Sequence, residues 1–309
     1  MIKWLAFTKA MPAPGRLIMN IKIIEGIASL AKRYDVFILD IWGVLMDGLD
    51  PYPGAAYCLE NLRKHGKKII LLSNAPRQAH LVGEKLNSIG IPPRLYDDIL
   101  SSGEATRLAL AARRDPHIAK LGNTYFYIGP DRDHGLLDGL DYAESSSLDT
   151  SDFILITGPW ESSDHPGMYN KLFDQGLERE IPMICTNPDQ VVVRQTGERL
   201  LCAGALADHY KTLGGEVIYF GKPHQAIYST LLQQLGKLPK QNIVAVGDTL
   251  ETDIKGADHF GVATTLVVGG VAATKFGISE GEMPMPKILQ NHCSEAGIIP
   301  TYAVPLFIW

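Results

Sequence analysis

Short apolar runs that end in polar residues recur along this chain of 309 residues, with helical patterns between them. The runs are VFILD, IILLSN, VIYFGK and IVAVGD, which end at Asp40, Asn74, Lys222 and Asp248. They are short enough to be buried β-strands, whereas the amphipathic segments GAAYCLENLRKHG and QAHLVGEKLNSIG predict helices. Strands that are joined by helical crossovers form a parallel sheet with both faces covered. The sequence therefore predicts an α/β fold.

The polar ends of these runs predict a functional site. In parallel sheets of this kind, ligands bind beyond the carboxyl ends of the strands, where Asp40, Ser73, Lys222 and Asp248 would fall. Taken singly, each could be an N-cap, a turn residue or a solvated charge. A carboxylate such as Asp40 is costly to place at the end of a buried strand unless it has a partner or a function. We therefore expect the four side chains to form one cluster.

Residues 115–205 interrupt this pattern. They contain further strand-like runs (NTYFYIG, DFILITG and IPMICTNPD) with helical and acidic segments between them. We expect an N-terminal extension at residues 1–20, a core domain formed by 21–114 and 206–309, and an inserted α/β cap domain at 115–205. The apolar C-terminal segment PTYAVPLFIW is interpreted as an edge strand or a dimer contact.

Composition excludes several classes of function. A formal net charge of −5 argues against binding to nucleic acid or to an anionic membrane surface. No apolar run reaches the roughly eighteen residues that a membrane-spanning helix needs. The four cysteines are far apart, which is typical of free thiols in a cytoplasmic protein.

The clustered residue types suit phosphoryl transfer. That reaction needs a nucleophile, a Mg²⁺ ion held by hard oxygen ligands, and positive or hydrogen-bonding groups around the phosphoryl oxygens. Asp40 would supply the nucleophile, and Asp40 with Asp248 would supply oxygens for the metal. Lys222 would neutralise charge, and Ser73 would donate to a phosphate oxygen.

The segments DIWGVL, LLSN, FGKP and VGDTLETD, in this order, resemble the four motifs of the haloacid dehalogenase superfamily. The long insert with its segment CTNPD resembles the large-cap subfamily IIA, which includes NagD-like and p-nitrophenyl-phosphatase-like hydrolases. The resemblance implies a Rossmann-like core and a mobile C2-type cap that closes over the site. It also implies a hydrolase of phosphoric monoester bonds that acts on a small phosphorylated metabolite such as a sugar phosphate, a nucleotide or pyridoxal phosphate. Caps of this subfamily often dimerise, so a homodimer is possible.

The resemblance also implies roles around the metal. Asp40 would form an aspartyl-phosphate, and Mg²⁺ would be bound by Asp40, by Asp248 and by the backbone carbonyl of Trp42. Asp253 would hold metal-bound water or orient Lys222.

Other residues are implied in phosphate binding and substrate choice. Ser73, Asn74 and Lys222 would hold the phosphate. The candidates for substrate specificity are Asn187, Asp189 and Arg77, although Asn187 and Asp189 also fit a turn and Arg77 a solvated helix start.

Trp42 departs from the family pattern. Phosphatases of this superfamily usually carry a second Asp at this position as general acid and base, and an indole cannot take that role. One hypothesis is a phosphatase that is slow or limited to good leaving groups, helped by Asp47 or by a cap residue near Asn187 and Asp189. Asp47, which precedes Gly48, fits a turn carboxylate better.

Two other hypotheses remain. Dehalogenases of the superfamily have an aromatic residue at this position, but they need no metal, and three clustered carboxylates without a cation would repel one another. A catalytically weak protein that senses a phosphoryl ligand is the third hypothesis, since fold does not fix function. The ring of Trp42 would line the leaving-group side, stack on a planar substrate or, as is commoner for Trp, pack in the core.

Overall fold

The computed structural model of the protein describes residues 21–194, 197–236, 238–270 and 272–309. The expected N-terminal extension at residues 1–20 lies outside the described residues. The strands are β1 Lys22–Ile23, β2 Val36–Leu39, β3 Lys68–Ser73, β4 Asp98–Ser101, β5 Thr124–Ile128, β6 Ala143–Ser145, β7 Phe153–Ile156, β8 Met183–Cys185, β9 Val191–Val193, β10 Arg199–Leu201, β11 Val217–Tyr219, β12 Ile243–Gly247, β13 Ala263–Val267 and β14 Tyr302–Val304.

The helices connect these strands as the amphipathic patterns predict. They are α1 Ala28–Ala31, α2 Ala55–Lys64, α3 Ala79–Ser88, α4 Ser102–Ala112, α5 Pro116–Ala119, α6 Asn170–Glu178, α7 Ala203–Thr212, α8 Gln225–Leu235, α9 Lys255–Phe260, α10 Ala273–Phe276 and α11 Pro286–Ala296. Helix α2 shows why they begin and end where they do. It starts after Gly54 and stops just before Gly66, and both glycines have positive φ. None of the helices in the described ranges combines the length and the apolar character needed to cross a bilayer.

The α/β class is confirmed, and the core is a parallel sheet of seven strands in the order β1-β14-β13-β12-β2-β3-β4. Strand β2 is buried along its whole length, as expected for a sheet that is covered on both faces. The chain leaves β2 towards β3 on one side and returns to β12 on the other. This change of direction places the ends of β2 and β12 side by side, which is where α/β sheets bind ligands. The C-terminal strand β14 lies inside the sheet, between β1 and β13, so the expectation of an edge strand is wrong.

The insert forms a second parallel sheet, in the order β11-β8-β7-β5-β6, and a separate hairpin of β9 and β10. Strand β11, Val217–Tyr219, pairs with β8 of this second sheet. The expected domain boundary at residue 205 is therefore too early, and the chain returns to the core only after β11. The apolar pattern of VIYF is the same in a strand of either sheet, so the sequence cannot show which sheet contains β11.

The two sheets share apolar packing. One cluster of buried side chains contains Ile38 and Ile70 from the core sheet together with Phe153, Leu155 and Ile184 from the second sheet. Separating the two sheets would expose this cluster to water, at a cost of about 25 cal/mol for each Å² of apolar surface. The sheet of the cap therefore packs against the core, whereas, among the described residues, the strands of the hairpin pair only with each other.

Candidate active site

Three carboxylates meet at the carboxyl edge of the core sheet. Asp40 directly follows β2 and Asp248 directly follows β12, and these two strands are hydrogen-bonded neighbours. Asp253 is added from a turn of π-helix at Leu250–Ile254. Each of the three offers an oxygen, and these oxygens all lie within 4.8 Å of one another. The strand pairing therefore places Asp40 and Asp248 close enough to bind the same ion.

Lys222 joins this cluster from the loop that follows β11. Its Nζ donates to Oδ1 of Asp40 and to Oδ1 of Asp253, each at 2.6 Å, and to the carbonyl oxygen of Leu72 at 3.0 Å. The ammonium group is buried, and it enters from the loop after β11 rather than from a core strand. The expectation that a core strand carries Lys222 is thus wrong, although the side chain reaches the expected place.

The charges in this cluster do not balance. Three carboxylates and one ammonium leave two negative charges when all are ionised. Burial and the neighbouring Asp253 raise the pKa of Asp40, against the lowering effect of Lys222, and they raise the pKa of Asp248 to about 7. Burial lowers the pKa of Lys222, but Asp253 and Asp40 outweigh it and leave that pKa raised. Lys222 therefore stays protonated. One divalent cation would neutralise the two negative charges that remain when all three carboxylates are ionised.

The donor set fits Mg²⁺, which prefers carboxylate and carbonyl oxygens. Gly43 has φ +84°, and a Cβ at this position would lie 2.2 Å from Oδ2 of Asp248. The backbone can approach that carboxylate only because Gly43 has no side chain, and the carbonyl group of Trp42 belongs to the peptide that precedes Gly43. Asp40, Asp248 and the carbonyl of Trp42 are the groups that would hold the ion. Asp253 suits an outer position because its oxygens already accept from Lys222 and from the backbone N–H of Thr249.

Ser73 and Asn74 follow β3 beside this cluster. Ser73 is buried at the strand end, and its Oγ accepts from the backbone N–H of Ala75 at 3.2 Å. The side chain of Asn74 donates to Asp189 at 2.8 Å and to the carbonyl of Lys222 at 3.1 Å, and it accepts from the N–H of Lys222 at 2.7 Å. The expected role of Asn74 as a phosphate ligand is therefore not available to its side chain, which instead positions Lys222.

The candidates for substrate specificity, Asn187, Asp189 and Arg77, form hydrogen bonds or ion pairs within the protein. Oδ1 of Asn187 accepts from the backbone N–H of Asp189 at 3.0 Å, as in a turn. Asp189 bonds to Asn74 of the core, and burial raises its pKa although that hydrogen bond opposes the change. Arg77 donates from Nε to the buried Asp133 of the cap and forms an ion pair with it, and its role in substrate choice stays a prediction.

Trp42 and Asp47 lie on the loop that follows Asp40. Oδ1 of Asp47 accepts from the backbone N–H groups of Leu49 and Asp50, both at 2.8 Å, which makes it a turn carboxylate rather than a helper in acid–base chemistry. The indole of Trp42 is half-buried and donates from Nε1 to the carbonyl oxygen of Val193 at 3.0 Å. Trp42 is therefore a contact between the core and the cap, and the expectation that it packs in the core is wrong.

Sequence reasoning missed three of these residues. Thr249 donates to Asp253 through its backbone N–H and to Oδ1 of Asp248 through its hydroxyl at 3.0 Å, and its place within VGDTLETD was the available signal. Val193 and Asp133 contact the core through pairs that lie far apart in sequence. No local pattern marks either of them.

Comparison with known proteins agrees with this geometry. The sequence model described as haloacid dehalogenase-like hydrolase matches residues 37–143, and a second, HAD-hydrolase-like model matches residues 219–283. The crystal structure of a hydrolase of the haloacid dehalogenase-like family from Brucella suis is 30% identical, with a TM-score of 0.77, and the match covers 93% of this chain and 100% of that one.

Two curated relatives are similar over most of their length. Phosphoglycolate phosphatase 2 of Arabidopsis thaliana is 26% identical over 289 residues, which is 86% of this chain and 93% of that protein. An acid sugar phosphatase of Staphylococcus epidermidis is 28% identical over 259 residues, which is 82% of this chain and 93% of that protein.

Proposed function

The chain belongs to the haloacid dehalogenase-like hydrolases, and from this premise we propose that it is a Mg²⁺-dependent phosphatase of small phosphomonoesters. One observation carries the proposal: Asp40 lies within 4.8 Å of the other two carboxylates while Lys222 holds one of its oxygens. This arrangement combines a nucleophile, a metal-binding set and a buried cation. The activities of the two plant and bacterial relatives support the same reaction class.

In the proposed reaction, the free oxygen of Asp40 attacks the phosphorus of the substrate. The bond from phosphorus to the leaving oxygen breaks, and an aspartyl-phosphate forms on Asp40; water then attacks this phosphorus and releases phosphate. Lys222 orients the carboxylate, and its charge offsets that of the phosphoryl oxygens. Mg²⁺, when bound, supplies further positive charge to those oxygens. Ser73 would donate its hydroxyl hydrogen to the phosphate.

The residue at position 42 limits the range of substrates in this proposal. General acid–base catalysis contributes a factor of about 10²–10⁴, and neither Trp42 nor Asp47 supplies it. Leaving groups that depart without a proton lose least from its absence. We therefore expect reduced activity on alkyl phosphates and a preference for esters of weakly basic alcohols, such as aryl phosphates.

The proposed substrate class rests on the family and on the named activities of the relatives. The relatives named as an acid sugar phosphatase and a phosphoglycolate phosphatase support a small phosphorylated metabolite as the substrate.

A phosphate-release assay tests the proposal. Wild-type protein and Asp40→Asn are incubated with 4-nitrophenyl phosphate and with a panel of phosphomonoesters, in Mg²⁺ and in chelator. The proposal expects release that needs Mg²⁺ and is lost in Asp40→Asn. Halide release from a haloacid without metal would instead indicate a dehalogenase, and Mg²⁺ or phosphate binding without turnover would indicate a sensor.

A further inference from the structure

The hairpin of β9 and β10 pairs with neither of the two larger sheets in the described part of the chain. It forms its own two-stranded sheet, with Val191 opposite Leu201 and Val193 opposite Arg199. The neighbouring cap sheet shares an apolar cluster with the core, but the strand residues of the hairpin are only partly buried. A short two-stranded hairpin is at best marginally stable by itself. Its position therefore depends on contacts that its strand residues make with the rest of the molecule.

Trp42 supplies such a contact from the core. Its Nε1 lies 3.0 Å from the carbonyl oxygen of Val193, at the end of β9. The other side of the ring lies against Gly48, where a Cβ would come within 2.1 Å of Cη2. The ring is thus held between the loop that follows Asp40 and the hairpin. With its N–H bonded to Val193, the indole has no donor left for a substrate.

We propose that Trp42 is a positioning residue that ties the cap hairpin to the active-site loop. The position that would carry an acid–base Asp instead carries a donor that fixes the leaving-group side of the site. Its side chain contacts the hairpin, while its backbone lies next to Gly43 and Asp248. The tie itself does not depend on the proposed function, but its effect on turnover does.

Limited proteolysis measures the tie without any need for activity. The hairpin carries two trypsin sites, Arg194 and the exposed Arg199, and Arg94 of the core is an exposed reference site. Trp42→Phe keeps a ring against Gly48 but removes the N–H. Loss of one hydrogen bond should speed cleavage after Arg194 and Arg199 about two- to tenfold, with cleavage after Arg94 unchanged.

A matched control separates the tie from the general loss of an indole. Trp160 is an exposed tryptophan of the cap, and its ring is tilted against that of Tyr169 with ring centroids 5.0 Å apart. Trp160→Phe should leave cleavage after Arg194 and Arg199 at the wild-type rate. The proposal is overturned if Trp42→Phe cleaves like wild type, or if it speeds cleavage at Arg94 as much as in the hairpin.

A kinetic arm then separates this inference from the proposed function. If the protein is a phosphatase, Trp42→Phe should raise KM for 4-nitrophenyl phosphate about two- to tenfold with little change in kcat, because neither residue supplies a proton. A fall in kcat with unchanged KM would contradict the positioning role. Absence of any phosphatase activity would contradict the proposed function and leave the proteolysis result standing.

Discussion

The core and the cap contribute to the site in different ways. The core presents Asp40, Ser73 and Asp248 from the ends of strands in one sheet, so their mutual distances follow from strand pairing. Lys222 and Asp189 come from loops that follow strands of the second sheet, and the carbonyl of Val193 comes from the end of β9, so their positions depend on hydrogen bonds to the core. The carboxylates proposed to hold Mg²⁺ and to attack phosphorus are thus positioned by strand pairing, whereas the position of the Lys222 ammonium depends on its hydrogen bonds to Asp40, Asp253 and Leu72.

The largest effect is expected where the two sides meet, at Lys222. Lys222→Met leaves three carboxylates without their ammonium, and loss of one member of a buried ion pair costs about 3–5 kcal/mol. We expect loss of phosphatase activity and, without Mg²⁺ at about pH 8, a free energy of unfolding lowered by that amount in urea titrations. Lys67→Met is the control, because its partner Asp35 is mostly exposed, and it should cost less than about 1 kcal/mol. Equal effects of the two variants would contradict the account of Lys222.

Trp42→Asp would place a proton donor on the core side of the site. If its carboxyl reaches the leaving oxygen, we expect kcat on an alkyl phosphate to rise by about 10–100-fold, with a smaller rise on 4-nitrophenyl phosphate, whose leaving group needs no proton. Trp42→Phe, which adds no acid, should show no rise. An unchanged kcat in folded, Mg²⁺-binding Trp42→Asp would mean that acid–base supply does not limit turnover.

Metal binding should depend on pH through the core carboxylates. The pKa of Asp248, raised to about 7 from an ordinary 3.8, means that the folded protein keeps a proton that the unfolded chain releases between these values. The metal-free protein should therefore lose stability as pH rises through this range. Below pH 7, Mg²⁺ must displace that proton in order to bind. The rise in Tm on addition of Mg²⁺ should therefore be several degrees larger at about pH 8 than at about pH 5.5. A Tm gain that is independent of pH would contradict the raised pKa.

The smallest effect is expected at the ion pair between the domains. Asp133→Asn removes the buried charge that faces the partly exposed Arg77, which should lower the free energy of unfolding by about 1–2 kcal/mol. Asp131→Asn, on the exposed side of the same turn, is the control and should stay within about 0.5 kcal/mol of wild type. A thermal or urea melt compares them. If Asp133→Asn also matched wild type, the pair would contribute nothing to cap attachment.

The same contrast explains what the sequence could predict. Asp40, Ser73 and Asp248 were predictable because a polar residue at the end of a buried strand is a local pattern, and parallel strands end at the same edge. The motif placed Lys222 at the site, but the pattern of VIYF could not tell which sheet holds β11. Trp42 and Val193 are 151 residues apart and meet only through tertiary packing, so no local signal could pair them.

The central claim is that Asp40 carries the phosphoryl group during turnover. The most direct measurement is to quench the wild-type enzyme in acid during turnover of 4-nitrophenyl phosphate with Mg²⁺, reduce it with borohydride, and sequence its peptides by mass spectrometry. We expect reduction of an acyl-phosphate to homoserine in the peptide that carries Asp40, and no such product in chelator or in Asp40→Asn. Turnover with the peptide unmodified, or with the label on another residue, would contradict it.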